Sequence, residues 1–213
     1  MQAAPTPSRA QLPQRVHQAV RELMCEQGLR VSMDAVALRA GCSKQTLYSR
    51  YGSKQALMRS VMQEHLDQTT APLQDDEATP ASHSAKALRQ GLITFACEHL
   101  QRLSSPEVLA CTQLMNAEAR QFPEEARATF DDGHGRLLEY LARRLARAMR
   151  RGHLRHDHPH FAAELLLGMI TGSDFERQRF MAPHRDTEAA RRQWAEFAVD
   201  AFLRAFAPVA TMP

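Results

Sequence analysis

The stretch "GLRVSMDAVALRAGCSKQTLYSRYGSKQALM", residues 28–58, alternates short helix-forming segments with residues that stop and restart a helix. Ser32 and Ser43 are favourable helix N-caps, while Gly41 and Gly52 can adopt the positive φ with which many helices end. The pattern predicts a helix over 33–40, a second from Ser43 to about residue 51, and a longer one that restarts at Gly52-Ser53 and reaches about residue 68. Two short helices joined by a tight turn are typical of a helix-turn-helix.

The remaining sequence predicts further helices and no strands. Before the quoted stretch, Val16, Val20 and Leu23 recur at helical spacing over 14–27, and Gly28 ends that helix. β-Branched residues are sparse, and no segment alternates apolar and polar residues with a period of two. An all-α fold is therefore expected, with later helices at about 84–103, 106–121, 124–151, 159–180 and 186–206.

The spacing within the two short helices favours a DNA-reading unit. Ala37, Gly41 and Leu47 fall where a helix-turn-helix needs a small residue, a glycine and an apolar anchor. Leu47 and Tyr51 share the inward face of the second helix. Its outward side is polar, rich in hydrogen-bond donors and free of Asp and Glu, and consists of Lys44, Gln45, Thr46, Tyr48 and Ser49. Base edges and phosphates are the partners that such a face fits, with Lys54 of the next helix placed for a second phosphate.

The charge distribution supports an anionic partner for the N-terminal part of the chain. Residues 1–60 contain nine Lys or Arg and three Asp or Glu, whereas the rest contains 18 basic and 21 acidic residues. The N-terminal region thus carries a formal +6, although the whole chain carries only +3. A basic surface without a nucleic-acid role is the competing interpretation.

The same residues resemble the DNA-binding domain of TetR/AcrR-family transcriptional regulators. The family pattern of a capped second helix, "AG-S-TLY" and an aromatic followed by "SK--L" is matched by Ser32, Ala40-Gly41, Ser43, Thr46-Leu47-Tyr48, Tyr51, Ser53-Lys54 and Leu57. Two stretches of the body, residues 114–133 and 150–172, are similar to those family members whose bodies carry "EA-RFPEL" and "RG-LR-DDP--AA".

This resemblance implies a domain organisation, a function and a set of DNA contacts. Residues 1–12 are expected to be a flexible N-terminal arm, 13–58 a TetR-type helix-turn-helix domain, and 59–213 a helical effector-binding and dimerisation domain that a long helix joins to it. The implied function is a homodimeric repressor that binds a near-palindromic double-stranded operator and is released by a small molecule. The DNA-binding residues are expected to be Ser32, Ser43, Lys44, Gln45, Thr46, Tyr48, Ser49 and Lys54.

The last two predicted helices carry the residues expected at a dimer interface. Gly168 and Gly172 each cost a helix roughly 1 kcal/mol relative to Ala, which close approach of another helix would offset. The last helix carries an apolar stripe, and the two helices of each subunit are predicted to pack as a four-helix interface. Packing within one subunit is the alternative for the same residues, which are Leu165, Gly168, Gly172, Trp194, Phe197, Ala198, Ala201 and Ala205.

Polar groups among apolar ones mark a candidate effector pocket. Such a mixture is typical of sites for small, partly apolar molecules. Each residue taken singly also fits an ordinary core or surface position. The candidates are Phe95, His99, Met115, Asn116, His134, Tyr140 and Met169.

The cluster "GHLRHDHPH", residues 152–160, offers a different function. Its histidines, from His153 to His160, and one carboxylate can bind zinc or nickel, so a helical metal-binding protein or metallohydrolase is the alternative to a regulator. The spacing fits no standard metal motif, and no nucleophile–base pair or phosphate loop accompanies it. The sequence therefore predicts no enzyme, no cofactor and no metal.

Two remaining features concern location and redox chemistry. The chain has no signal-like N-terminus and no apolar run long enough to span a membrane, which predicts a cytoplasmic protein. Its four cysteines form no Cys-x-x-Cys pair, so buried thiols are expected, with a redox sensor built on Cys97 or Cys111 as the alternative.

Overall fold

The computed structural model describes residues 11–73, 84–182 and 184–208, and within these ranges the secondary structure is helical, without strands. The predicted all-α class is confirmed. The arm predicted for residues 1–12 lies, apart from its last two residues, outside the described ranges. The α-helices are α1 (Leu12–Gln27), α2 (Met33–Ala40), α3 (Lys44–Tyr51), α4 (Lys54–Thr70), α5 (Ala85–Leu103), α6 (Pro106–Glu118), α7 (Pro123–Phe130), α8 (Arg136–Arg150), α9 (Pro159–Thr171), α10 (Asp174–Arg179) and α11 (Glu188–Ala205).

Serine caps and glycines set the boundaries of α2 and α3. The Ala35 N–H donates to Oγ of Ser32 at 3.2 Å, and the Thr46 N–H donates to Oγ of Ser43 at 3.0 Å. Gly41 follows α2 with φ of 64°, the left-handed conformation that glycine adopts without steric cost. The bounds predicted for both helices are therefore confirmed.

The chain divides into two compact units. The first contains residues 1–64 and 110–132, and so includes α1–α3, the first part of α4, most of α6, and α7. Its core is built from the apolar faces of α1, α2 and α3. Val16 and Val20 of α1, Val36 of α2 and Leu47 of α3 are each at most 1% exposed. This core holds α3 by one face and leaves the other free.

The second unit contains residues 65–109 and 133–213. Its core is formed by α5, α8, α9 and α11, from which Phe95, Leu141, Leu166 and Phe202 are fully buried. An ion pair also links α5 to α11, where Arg89 donates to both carboxylate oxygens of Asp200, at 2.6 and 2.8 Å.

The prediction of one continuous helix over 159–180 is wrong, because the helix ends at Gly172. This residue ends α9 with φ of 57°, and α10 begins after Ser173. A Cβ added to Gly172 would lie 3.0 Å from the indole of Trp194. Close approach does explain this glycine, but the approaching group is a side chain of α11 in the same unit.

The helix predicted over 124–151 is also interrupted. Residues Asp131–Gly135 form one π-helical turn between α7 and α8. That turn contains Gly133 and Gly135, both poor helix formers, so the regular hydrogen-bond ladder is weak at this point.

Candidate nucleic-acid interface

Helix α3 has one face in the core of the first unit and one face in solvent. Leu47 is 1% exposed and Tyr51 is half-buried, as their inward spacing predicts. On the opposite side Gln45 and Ser49 are exposed, and Tyr48 is 45% exposed. The predicted reading face is therefore accessible along the helix.

The hydroxyls at the start of α3 hold the helix in place. Oγ of Ser43 accepts the Thr46 N–H and lies 2.8 Å from Oγ1 of Thr46. Ser32 has the corresponding position before α2. Ser32 and Ser43 are thus first of all capping groups that fix where α2 and α3 begin, and the Thr46 hydroxyl is hydrogen-bonded to the second of them.

Lys44 is paired with a carboxylate that the sequence prediction did not consider. Its Nζ lies 2.9 Å from Asp34 of α2, and this hydrogen bond raises the pKa of the lysine. Asp34 belongs to α2, so the absence of acidic residues from the outward face of α3 did not reveal this pairing. Contact of Lys44 with DNA therefore requires an exchange of partners.

Lys54 also has a partner within its own unit. Its Nζ donates to the carbonyl of Leu29 at 3.0 Å, and the residue is half-buried at the start of α4. Leu29 belongs to the short 3₁₀ turn between α1 and α2. In this structure Lys54 thus ties α4 to that turn, and its phosphate contact stays a prediction.

Several other basic side chains of the first unit are bound to acidic ones. Arg39 pairs with Glu22 and Glu26, and hydrogen bonds from this arginine lower the pKa of Glu26, while Gln18 and Arg39 lower that of Glu22. The others are Arg21 with Glu64, Arg30 with Glu118, and Arg59 with Asp132. Glu64, Glu118 and Asp132 lie outside residues 1–60 and are not counted in their formal +6, so this value overstates the positive charge that the surface offers to a polyanion.

An open groove runs along α3 and includes a residue that the sequence prediction missed. Its lining is formed by Leu12, Ser43, Gln45, Thr46, Ser49 and Arg50. Arg50 is exposed and lies one turn after Thr46 on the same side of the helix. The spacing of four positions from Thr46 could have indicated from the sequence that Arg50 lies on this face. We add Arg50 to the candidate phosphate contacts of this surface.

A second missed residue, Glu118, lies at the end of α6. Its carboxylate accepts the Leu29 N–H at 2.8 Å and pairs with Nε of Arg30 at 2.6 Å, and its side chain is 7% exposed. A Cβ on Gly28 would collide with this carboxylate. The turn between α1 and α2 is thus fixed by a residue 89 positions away, which no local sequence pattern indicates.

The predicted effector-pocket residues are spread over both units. Phe95 and His99 are buried in the second unit and stack at 5.7 Å, and Tyr140 and Met169 are half-buried there. His134 is exposed. The other two, Met115 and Asn116, belong to the first unit. The effector site remains a prediction.

The residues predicted for a dimer interface fall into two groups. Leu165 and Phe197 are 50% and 60% exposed, and a Cβ on Gly168 would meet none of the described atoms within 4 Å. Inside the unit, Ala198 is 2% exposed, and the Trp194 indole N–H donates to the Ile170 carbonyl at 2.7 Å. Ala201 is half-buried, Ala205 is exposed and Gly172 contacts the indole.

The histidine cluster has a structural role at the start of α9. His158 is the N-cap, since its Nδ1 accepts the Phe161 N–H at 3.4 Å, and its ring stacks on Phe161 at 4.2 Å. Asp157 accepts the His158 N–H at 2.8 Å. Across the described ranges, no three His, Cys, Asp or Glu side chains are grouped as a metal site would need.

The fold and this surface define a helix-turn-helix DNA-binding protein with a second helical unit. Two family models match the chain: "Bacterial regulatory proteins, tetR family" over residues 18–61, and "AefR-like transcriptional repressor, C-terminal domain" over residues 90–208. The second match alone covers more than half of the chain. The chain belongs to the TetR family of transcriptional regulators, and both models describe regulators of transcription, not enzymes.

Solved structures agree with this assignment. "Flavonoid-responsive Regulator FrrA" is 29% identical with a TM-score of 0.69, and the match covers 94% of this chain and 100% of that one. A TetR-family protein of Mesorhizobium loti is 25% identical, with a TM-score of 0.68 and the same coverage. A TetR regulator from Agrobacterium tumefaciens, 22% identical over 95% of this chain and 96% of its own, shares the fold with a TM-score of 0.70. The search of curated protein sequences finds no match. Among the helices of the described residues, none is long and apolar enough to cross a membrane.

Proposed function

We propose that the protein is a homodimeric repressor that works in the cytoplasm, binds a near-palindromic operator through α3, and leaves it when a small molecule binds. One observation carries the proposal: α3 is anchored by Leu47 and presents an exposed polar face with no acidic residue. A helix held in this way can enter a major groove with its N-terminal residues on base edges. Membership of the TetR family supports the same function.

The test of this proposal is selection of DNA from a pool of random duplexes by the purified protein. A regulator enriches one near-palindromic sequence, with half-sites about one helical turn apart. Binding of that duplex is then measured by fluorescence anisotropy against a scrambled duplex. Enrichment of no sequence would refute an operator-specific regulator.

Gln45 allows a sharper test of base reading. It is exposed on α3 and makes none of the hydrogen bonds that position the helix. If it reads an adenine edge, Gln45→Ala weakens operator binding by about 1–3 kcal/mol and leaves scrambled DNA almost unaffected. Gln101→Ala, at an exposed position of α5, is the matched control. Equal losses on both duplexes would mean that Gln45 does not read sequence.

The dimer part of the proposal rests on exposed apolar residues of α9 and α11. Phe161, Leu165 and Phe197 are 68%, 50% and 60% exposed, and a second copy of the chain would cover them. Phe197→Glu should shift the protein to monomers in sedimentation. Phe130→Glu should not, although this phenylalanine of α7 is 57% exposed. A Phe197→Glu protein that stays dimeric would exclude this face.

The effector is proposed to be a small, partly apolar molecule, for which flavonoids are the first probe. The basis is the 29% identity to a regulator that its name describes as flavonoid-responsive. Release from DNA requires the effector to favour one conformation, typically by about 1–3 kcal/mol. Flavonoids that bind should therefore raise the Tm of the protein and lower its affinity for the operator. The ranking of the compounds by potency should be the same in both measurements. If no flavonoid changes either quantity, this effector class is wrong.

A further inference from the structure

Two of the four cysteines face each other where α6 packs beside α1 in the first unit. The register of this packing is given by contacts near the end of α1. A Cβ on Gly28 would touch Leu114 and Glu118, which are one helical turn apart on α6. One turn earlier on each helix are Cys25 and Cys111. Because Gly28 lies beside Leu114, these two cysteines are each three positions before a contacting pair.

The two thiols are in direct contact. The Cys111 thiol and the Cys25 sulfur form a side-chain hydrogen bond, and both residues are partly exposed thiols. Cys111 packs at the edge of the core that α1, α2 and α3 share. Contact between the sulfurs is the first requirement of a disulfide, which forms between cysteines whose Cα atoms can lie about 4.4–6.8 Å apart.

We propose that Cys25 and Cys111 are a reversible oxidation site, at which a peroxide forms an intramolecular disulfide that joins α1 to α6. The reactant is hydrogen peroxide. No thiol of a second chain takes part.

The reaction balances in two steps. In the first, one sulfur attacks the peroxide, the O–O bond breaks, and a sulfenic acid and one water form. In the second, the other sulfur attacks the sulfenic acid, the S–S bond forms, and a second water leaves. The two thiols together lose two electrons and two protons, and the peroxide is reduced to two waters.

The environment of Cys111 disfavours its thiolate form. Burial, together with the neighbouring Cys25, raises the pKa of Cys111 to about 12, so this group stays a thiol at neutral pH. The thiolate is the species that attacks peroxides. Cys111 is therefore held in the form that reacts slowly with peroxides.

The experiment treats the reduced full-length protein with hydrogen peroxide, blocks remaining thiols with N-ethylmaleimide, and analyses mass and peptides without reduction. The expected product is a single chain that carries N-ethylmaleimide on two thiols and, apart from these groups, is two hydrogen atoms lighter than the reduced chain. Its digest contains one cross-linked peptide pair, with Cys25 and Cys111. Dithiothreitol restores all four thiols. The same treatment in concentrated urea should lose this pairing preference, because the contact exists only in the folded chain.

Serine variants complete the test. Cys25→Ser and Cys111→Ser should each abolish the cross-link, whereas Cys42→Ser and Cys97→Ser should form it at the wild-type rate. A cross-link that involves Cys42 or Cys97, a disulfide between chains, or oxidation of Cys25 or Cys111 to sulfinic acid without an S–S bond would overturn the proposal. These readouts do not depend on DNA, so they fail or succeed separately from the proposed regulatory function.

Discussion

Replacing Glu118 tests whether the end of α6 holds the turn between α1 and α2. Its carboxylate is the acceptor for the Leu29 N–H and the partner of Arg30. Glu118→Ala removes both interactions, while Glu118→Gln keeps an oxygen that can accept from Leu29 and loses the ion pair. The two variants therefore separate the hydrogen bond from the charge.

The expected magnitudes follow from the burial of each partner. Leu29 is 3% exposed, and a buried N–H that loses its acceptor costs about 1–3 kcal/mol. The Arg30 side chain is 62% exposed, so the ion pair contributes at most about 1 kcal/mol. Glu118→Ala should thus lower the free energy of unfolding of the first unit by about 1–4 kcal/mol, and Glu118→Gln by at most about 1 kcal/mol.

Amide hydrogen exchange provides the local assay, with urea unfolding beside it. Loss of the Leu29 hydrogen bond should speed exchange in the turn between α1 and α2 by roughly 5- to 150-fold in Glu118→Ala. Glu124→Ala removes an exposed carboxylate from the first turn of α7 and should change stability by no more than about 1 kcal/mol. If exchange of the Leu29 amide is unchanged in Glu118→Ala, the carboxylate does not hold this turn.

Three further predictions concern other interactions of the chain. Gly28→Ala should lower the free energy of unfolding in urea by at least about 1 kcal/mol more than Gly52→Ala does. Both glycines have positive φ, but only a methyl group added at Gly28 meets a carboxylate. Equal losses of stability would show that no collision occurs. Asp34→Asn should raise operator affinity about two- to fivefold at low salt, because it frees Lys44 and removes a negative charge beside it; an unchanged Kd in anisotropy would mean that this pair does not compete with DNA. Hydrogen bonds from Arg89 lower the pKa of Asp200. The stabilisation that this ion pair gives the folded protein is therefore complete above the ordinary aspartate pKa, and it is lost as the pH falls through the lowered pKa. The stability difference between wild type and Asp200→Asn should therefore shrink in acid, and a difference that persists there would exclude the ion pair as its source.

Local signals explain why the bounds of α2 and α3 could be predicted closely. Ser32, Gly41 and Ser43 act on backbone groups within three or four positions, so their effect is visible in a short stretch of sequence. The break at Gly172 was not predictable in the same way, because the indole that contacts it comes from α11. The family pattern supplied the class of protein, and the helical spacing supplied the exposed face of α3.

The partners of the basic residues could not be predicted, because most lie far away in sequence. Asp34, the partner of Lys44, lies ten positions before it on another helix. Lys54 donates to a carbonyl 25 residues before it, and Arg59 pairs with an aspartate 73 residues after it. A count of charges treats every lysine and arginine as available to DNA. The structure shows that many of them already neutralise carboxylates, so fewer counterions are released on binding than the count implies.

The position of Glu118 sets a rule for building chimeric regulators from this chain. The family model for the DNA-binding region ends at residue 61, which makes that position a natural junction for exchanging bodies between relatives. A graft cut there would leave Glu118 behind, so Leu29 would lose its acceptor and Arg30 its partner. A DNA-binding domain transferred in this way therefore needs an equivalent glutamate from the new body. Without it, the turn directly before α2 will be destabilised.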